Sequence, residues 1–287
     1  MKLVKRLLII FSLFVLVVSG LAGVGYWRLK VDPEWYHPVA TDPEASRLAA
    51  NRADQKVVET LNWAASAQAA ETRRRLGSTR PADSASVKTI SFSEEELNAF
   101  FAKWRTQNHW DDHYSAYLDD PMISLQDGRI VFAGRLKEFP SVVSMHYEPV
   151  LTADGQLNIR LVRVLGGRLP MPRGILDRPL GKLETAARAR LPKFQKGSRI
   201  GSDGAGNADA LKAASLMMLL DTLDQSPADA SLFLPIEDKR GLPVRITAVT
   251  IADKTLSLDV RVMTDTESAR LMERLHGKSD QAVAKGE

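Results

Sequence analysis

The sequence predicts an α+β fold: an N-terminal transmembrane helix, a long helix, and then a curved antiparallel sheet of about six strands packed on one face by amphipathic helices. Three stretches of alternating apolar and polar residues, each interrupted by a turn, are typical of β-hairpins. Helical periodicity between these stretches predicts the covering helices. An uncharged run at residues 7–27 predicts the transmembrane helix.

The apolar run at residues 7–27 has the length of a membrane anchor. At a rise of about 1.5 Å per residue, a helix of this length spans roughly 30 Å, the thickness of a bilayer's hydrocarbon core. Basic residues in segment 1–6 predict a cytoplasmic N-terminus in the cell's inner membrane, with a single pass and the bulk of the chain outside the cytoplasm. The alternative is a cleaved signal peptide, because residues 18–20 or 20–22 could serve as its small-residue cleavage site.

The chain beyond the anchor divides into linkers, one long helix and one domain. Asp42 as N-cap and Pro43 in the first helical position predict where the long helix starts. Residues 35–37 (Trp-Tyr-His) fit either the lipid headgroup region or a contact with the domain. We assign residues 28–42 to a juxtamembrane linker, 43–76 to the long helix, 77–89 to a second linker, 90–276 to an extracytoplasmic α+β domain and 277–287 to a polar tail.

Several helices are predicted within the domain. The first begins with a capping box of Ser93 and Glu96. Further helices are predicted near residues 175–191, 207–223 and 266–276. The first helix carries one apolar face at helical spacing, formed by Leu97, Phe100, Phe101 and Trp104.

The hairpins have recognisable turns. On the second strand of the first hairpin, Ile130, Phe132 and Leu136 share a face. We interpret this face as the one that helices cover. The alternation slips between Leu161 and Val164, which predicts a β-bulge. The turns are predicted at residues 127–128, 154–155 and 252–254.

Composition excludes several functions. The chain has no cysteine, so disulfides, thiol nucleophiles and cysteine-ligated zinc are excluded. A net charge of +4 with 7% aromatic residues does not predict nucleic-acid binding. The sequence contains no G-x-S-x-G nucleophile motif. We therefore expect no enzyme activity and no cofactor.

Residues 109–120 (HWDDHYSAYLDD) carry the most suggestive polar cluster. On a helix, three possible metal ligands would share a broad face: His109, Asp112 and His113. Trp110 and Tyr114 begin an apolar stripe on the same helix, so we interpret the histidines as its polar border. A metal-dependent hydrolase built on this region remains an alternative.

We therefore expect the protein to function by binding a ligand or a partner through apolar surface. A tethered domain with apolar helices predicts binding of a lipid or another hydrophobic ligand, and the alternative is a scaffold that binds an envelope protein. The candidate ligand-binding side chains are large and apolar: Phe100, Phe101, Trp104, Trp110, Tyr114, Met217 and Met218.

One family resemblance fits this layout. The order of the anchor, SFSEEELNAFF, ISLQDGRIVFAGRL and LTADGQLNIRLVRVLGGRLPMP resembles the YpmS-like membrane-anchored bacterial proteins of unknown function, over about residues 90–180. The resemblance implies a single-pass anchor and an extracytoplasmic α+β domain that binds lipid or acts in envelope maintenance. It implies no catalytic residues.

Overall fold

The computed structural model describes residues 27–37, 43–75, 87–107, 118–137, 141–152, 154–171, 174–199, 206–236 and 240–276. No helix in these ranges is long and apolar enough to cross a bilayer. The predicted anchor lies outside them, except for Trp27, which begins a short helical stretch at residues 27–30.

The described residues form an α+β fold, which confirms the predicted class. The helices are α1 (Pro43–Arg75), α2 (Glu94–Gln107), α3 (Gly174–Gly197), α4 (Ala208–Leu223) and α5 (Asp265–Leu275). The strands are β1 (Lys88–Ser93), β2 (Leu118–Gln126), β3 (Arg129–Leu136), β4 (Val142–Leu151), β5 (Gln156–Gly166), β6 (Leu169–Pro170), β7 (Ala228–Asp229), β8 (Ser231–Ile236), β9 (Arg240–Ala252) and β10 (Thr255–Val262).

The strands divide into two antiparallel sheets, where we expected one sheet of about six strands. One sheet has the order β1-β10-β9-β8, and the other β2-β3-β4-β5-β6, with β7 also paired to β5. Strand β1 overlaps the predicted second linker and pairs with β10 at the far end of the domain, for example Ile90 with Leu258. Turn signals identify a hairpin but not the sheet that it joins, which is why the division was not predicted.

The predicted turns and bulge are confirmed where they lie in described residues. Asp127 and Gly128 have φ values of 46° and 74°, the left-handed conformation that a two-residue hairpin turn requires. Strand β4 pairs His146 with Arg163 but Tyr147 with Leu161, so β5 holds one extra residue between them. This extra residue bends β5.

Helix α1 lies along the four-stranded sheet and against α2. Its start at Pro43 confirms the prediction. Small side chains allow close packing: Ala64 lies in the core of the four-stranded sheet, and Ala49 and Ala50 pack on Ala99 of α2. The long helix is therefore part of the domain and not a separate stalk.

Helix α2 begins as predicted but buries a different face. The Ser93 amide donates to Glu96 Oε2 at 2.9 Å, and the Glu96 amide donates to Ser93 Oγ at 3.2 Å, completing the capping box. Glu96 and Ala99 are buried, whereas Phe100 is 38% exposed. The reason is that α1 approaches the side of α2 that holds a short side chain and an ion pair, with Lys56 Nζ 2.7 Å from Glu96 Oε2.

The remaining predicted helices are confirmed: α3 extends six residues beyond its predicted end at residue 191, and the bounds of α4 and α5 shift by one residue. Asn207 caps α4 by accepting a hydrogen bond from the Ala210 amide at 2.9 Å. Helix α5 begins with a capping box of Thr264 and Glu267 that was not predicted. These caps fix where both helices meet the sheets.

Candidate functional site

The six-stranded sheet has two faces with different surroundings. Alternation puts Val131 and Ala133 on one face and Ile130 and Phe132 on the other. Residues 27–37, which we call the docked segment, cover part of the first face, around Ala133 and Val142.

The docked segment packs tightly on its face. Tyr36 is 4% exposed and forms a cluster with Met122, Ala133 and Val142, with Trp35 packed beside it. We expected residues 35–37 either in the lipid headgroup region or in contact with the domain. Trp35 and Tyr36 contact the domain. Small residues on the strand permit this contact.

Polar contacts hold the docked segment in register. Tyr36 Oη donates to the Asp120 carbonyl at 2.9 Å, and Ser141 Oγ donates to the Leu29 carbonyl at 2.7 Å. Arg135 Nη2 lies 2.6 Å from Asp32 Oδ2. Burial, reinforced by the nearby Asp120 carboxylate, raises the pKa of Tyr36 to about 12, so the hydroxyl stays protonated and keeps its hydrogen bond.

Ser144 and His146 form a buried pair beneath this segment. Ser144 Oγ and His146 Nε2 are 3.2 Å apart, and the imidazole meets the Trp35 ring edge-on at 6.2 Å between centroids. Burial and the charges of Arg163 and Arg129 lower the pKa of His146 to about 4. The imidazole is therefore neutral at pH 7 and contributes to packing. Ser144 is 0% and His146 6% exposed.

The opposite face carries large apolar side chains that remain partly exposed. Its floor is a buried cluster of Val143, Leu161 and Val164. Phe132, at the centre of β3, is 37% exposed. Around this floor lie six side chains that we call the apolar strip: Ile130, Phe132, Leu136, Met145, Tyr147 and Met171.

The strip has a defined internal geometry. The rings of Phe132 and Tyr147 meet edge-to-face, with centroids 5.8 Å apart and planes at 79°. Tyr147 Oη donates to Met145 Sδ at 3.7 Å, so its polar atom is satisfied. Burial raises the pKa of Tyr147, which keeps the ring uncharged. A surface of rings and thioethers without charge is suited to an apolar ligand.

Among the described residues, the predicted ligand-binding side chains do not lie together in one site. Met217 packs in the cluster around Leu271, while Met218 packs on the core of the four-stranded sheet. Phe101 lies under the Arg105 guanidinium, 5.5 Å from the ring centroid, and Phe100 lies on the open side of α2. The two methionines are partly buried and contact different clusters. The side chain of Trp104, and Trp110 and Tyr114 entirely, lie outside the described residues.

The predicted metal ligands cannot be placed. His109, Asp112 and His113 lie outside the described residues. Within the part of the chain that the structure describes, no three acidic or histidine side chains are grouped to hold a metal ion.

A groove of about 430 Å³ lies where α1, α2 and β2 meet. Its polar wall is already engaged in the fold. The Asn98 amide donates to and accepts from the Ile123 backbone at 2.6 and 2.7 Å, and Glu95 lies 3.5 Å from Arg52. The groove is mainly a junction between helices and sheet edge.

Sequence reasoning missed the strip as a site. Phe132, Ile130 and Leu136 were recognised as one face but interpreted as covered core. Val131, at 0% exposure, shows that the opposite face of β3 is the better covered one. The signal available was the run of small residues opposite, Ala133 and Ser144, which lets the docked segment approach.

The comparisons with known proteins add no assignment. No family model, no curated protein and no solved structure matches this chain. The resemblance to the YpmS-like proteins stays a prediction, and function is argued below from the strip and the docked segment.

Proposed function

We propose that this protein is a membrane-tethered binding domain that holds a lipid or another hydrophobic ligand on the apolar strip, in maintenance of the cell envelope. The observation that carries the proposal is the apolar strip as a whole, six neighbouring apolar side chains that all remain partly exposed, with Phe132 37% exposed at its centre. Contiguous apolar surface of this kind marks binding sites in soluble domains.

The chemistry of the strip favours an aliphatic ligand. Fully burying a phenylalanine or methionine side chain is worth roughly 1.5–3 kcal/mol, so covering the strip's exposed parts supplies a useful share of a binding free energy. Met145 and Met171 are flexible and polarizable, and they adapt to a chain of variable shape. Tyr147 presents its ring while its hydroxyl is held by Met145.

A membrane anchor ahead of the domain would favour the same function. We place a single-pass anchor at residues 7–27, with the N-terminus in the cytoplasm and the sheets outside it, at the inner membrane. The docked segment begins at residue 27 and is fixed to the six-stranded sheet by Asp32 and Tyr36. Such a connection would hold the curved sheet close to the bilayer that supplies the ligand.

The test is the lipid content of the full chain purified from its own membranes in mild detergent. Mass spectrometry should find bound lipid in the wild type and a strong loss in Phe132→Asp, because a carboxylate in the strip would lose its hydration. Val150→Asp is the matched control: Val150 is 41% exposed and lies on the same sheet, facing the other side. It should retain lipid.

Absence of lipid from the wild type would reject the lipid proposal. Crosslinking of one envelope protein through the strip would then support the scaffold alternative. The hydrolase alternative requires bound metal by elemental analysis, and loss of that metal when His109 and His113 are both replaced.

A further inference from the structure

The sheet face that carries the docked segment is only partly covered by it. The docked segment packs around Ala133 and Val142. Along the same strands, alternation places Arg129 and Arg163 on this face, on the two strands that flank His146 of β4. Arg163 is exposed and Arg129 is partly exposed. Two arginine side chains therefore reach solvent on the part of the face that the docked segment leaves open.

The acidic side chains around these two arginines already have partners. Four carboxylates are held in this way: Asp32 by Arg135 at 2.6 Å, Glu34 by Arg168 at 3.1 Å, Glu148 by Arg160 at 2.6 Å, and Glu94 by the Leu125 amide at 2.7 Å. Among the residues that the structure describes, no carboxylate forms an ion pair with Arg129 or Arg163. Within this part of the chain, no direct contact therefore neutralises their two charges.

Two neighbouring groups respond to this positive charge. Burial lowers the pKa of His146 to about 4, and the charges of Arg163 and Arg129 add to the effect. The hydrogen bond from Arg160 lowers the pKa of Glu148, and the charge of Arg129 contributes. In both cases the positively charged form of the site is disfavoured and the negatively charged form favoured. The same surroundings favour a bound anion.

The spacing of the arginines and a nearby aromatic ring indicate what kind of anion fits. Arg129 and Arg163 lie on strands two apart and are offset along them, so their Cα atoms are roughly 12 Å apart. Two carboxylates four residues apart on an extended polypeptide have about the same separation, roughly 13 Å. The Trp35 ring meets the His146 imidazole at 6.2 Å between centroids and stays partly exposed. Tryptophan and arginine are the side chains that most often dominate protein–protein interfaces.

We infer that Arg129, Arg163 and Trp35 form a docking surface for an acidic polypeptide segment, which we call the arginine surface. Carboxylates of the partner pair with the two guanidinium groups, whose planar forks bind a carboxylate through two parallel hydrogen bonds. An apolar side chain of the partner packs on Trp35. The arginine surface lies on the face opposite the apolar strip, so the inference goes beyond the proposed function and holds whether or not the strip binds lipid.

Binding of a defined peptide to the full chain in mild detergent tests the inference. The probe is a fluorescent synthetic peptide with two glutamates four residues apart and a leucine between them, and its matched control carries glutamine in place of both glutamates. Fluorescence anisotropy should show binding of the glutamate peptide only. Arg129→Gln combined with Arg163→Gln should weaken this binding about tenfold, because two charge pairs are lost.

A matched double variant separates the arginine surface from general charge attraction. Arg190→Gln combined with Arg199→Gln removes the same charge at exposed positions in and just after α3. It should weaken binding about twofold or less, since exposed charges at a distance are screened by salt. A photoreactive leucine in the peptide should crosslink at Trp35 or its neighbours, as located by mass spectrometry.

The remaining outcomes overturn the inference. Equal weakening by the two double variants would show attraction to net charge alone. Equal binding of the glutamine peptide, or no measurable binding of the glutamate peptide, would show that carboxylates are not recognised. Tighter binding of phosphatidylglycerol vesicles or of an oligonucleotide through the same two arginines would replace the polypeptide by another polyanion. Arg163→Gln alone, at an exposed side chain, serves if the double variant does not fold, and should weaken binding about threefold.

Discussion

The two sheets of this protein are built from the same alternating pattern but differ in how far their apolar faces are buried. In the four-stranded sheet, Val244 and Val260 are fully buried and Ile246 is 4% exposed. In the six-stranded sheet, the docked segment covers the part of one face around Ala133 and Val142, and on the other face Phe132 remains 37% exposed. Alternation alone therefore does not tell a packed core from a binding surface. The covering element does.

The four-stranded sheet also carries ion pairs that are largely shielded from solvent. Arg261 forms two hydrogen bonds to the Glu267 carboxylate, at 2.6 and 2.8 Å. Arg245 lies 3.2 Å from Asp229 on β7, which joins this network to the other sheet. All four side chains are largely shielded from solvent, so removing one partner would leave a shielded charge unpaired and cost more than breaking a surface salt bridge. This region is packed and ion-paired, whereas the strip remains partly exposed.

The largest expected difference between the sheets is in stability. Leu234→Ala, in the core of the four-stranded sheet, should lower the free energy of unfolding by about 2–5 kcal/mol because it leaves a cavity. Phe132→Ala should lower it by about 1–2 kcal/mol in lipid-free protein, because full burial of a phenylalanine is worth about 1.5–3 kcal/mol and this ring is 37% exposed. Urea unfolding measures both. Equal losses would contradict the distinction between core and strip.

The six-stranded sheet should lose stability first on acidification. The pKa of His146 is lowered from 6.5 to about 4 in the folded state, so unfolded chain takes up the proton first. Above pH 6.5 the imidazole is neutral in both states and does not affect the free energy of unfolding. As the pH drops to 4, protonation of the unfolded chain lowers the free energy of unfolding by about 3 kcal/mol. His146→Gln should remove this part of the pH dependence. Wild type and variant with parallel stability curves between pH 6.5 and 4 would refute it.

The four-stranded sheet should respond in a lower window. Two hydrogen bonds from Arg261 lower the pKa of Glu267 from 4.5 to about 2. Its stabilisation is present above pH 4.5 and is lost as the pH falls toward 2. Glu267→Gln should lower the free energy of unfolding at pH 7 by about 2 kcal/mol and flatten the curve below pH 4.5. Glu148→Gln, at an exposed pair with Arg160, is the control and should have little effect.

The smallest expected effect concerns the junction between the sheets. Helix α2 follows β1 of one sheet and holds the edge of β2 in the other through Asn98, which pairs with both backbone groups of Ile123. Asn98→Ala should cost about 1 kcal/mol or slightly more, because two backbone groups lose their partner. Hydrogen exchange at the Ile123 amide should accelerate. An unchanged rate would show that α2 does not hold this edge.

Local features of the fold were readable in the sequence because their causes are local. Asp127-Gly128 sets a turn by its own backbone preference, and Ser93 with Glu96 sets a helix start within four residues. The bulge before Val164 appeared as a break in alternation. None of these requires knowledge of distant partners.

The division into two sheets and the location of the strip depend on distant contacts. Ile90 pairs with Leu258, and Tyr36 packs on Ala133. No periodicity encodes such pairings. The sequence therefore indicated that Phe132 shares a face with Ile130, but it was the docked segment on the opposite side that determined which face is covered.

Accessibility of the strip tests the central claim most directly. Phe132→Cys in the full chain is exposed to a water-soluble maleimide, first in native membranes and then after the purified protein has been stripped of lipid. The account predicts slow labelling in membranes and fast labelling after lipid removal, with Val150→Cys reacting equally fast in both. Equal rates for Phe132→Cys in the two states would contradict the claim that the strip is a lipid-binding surface.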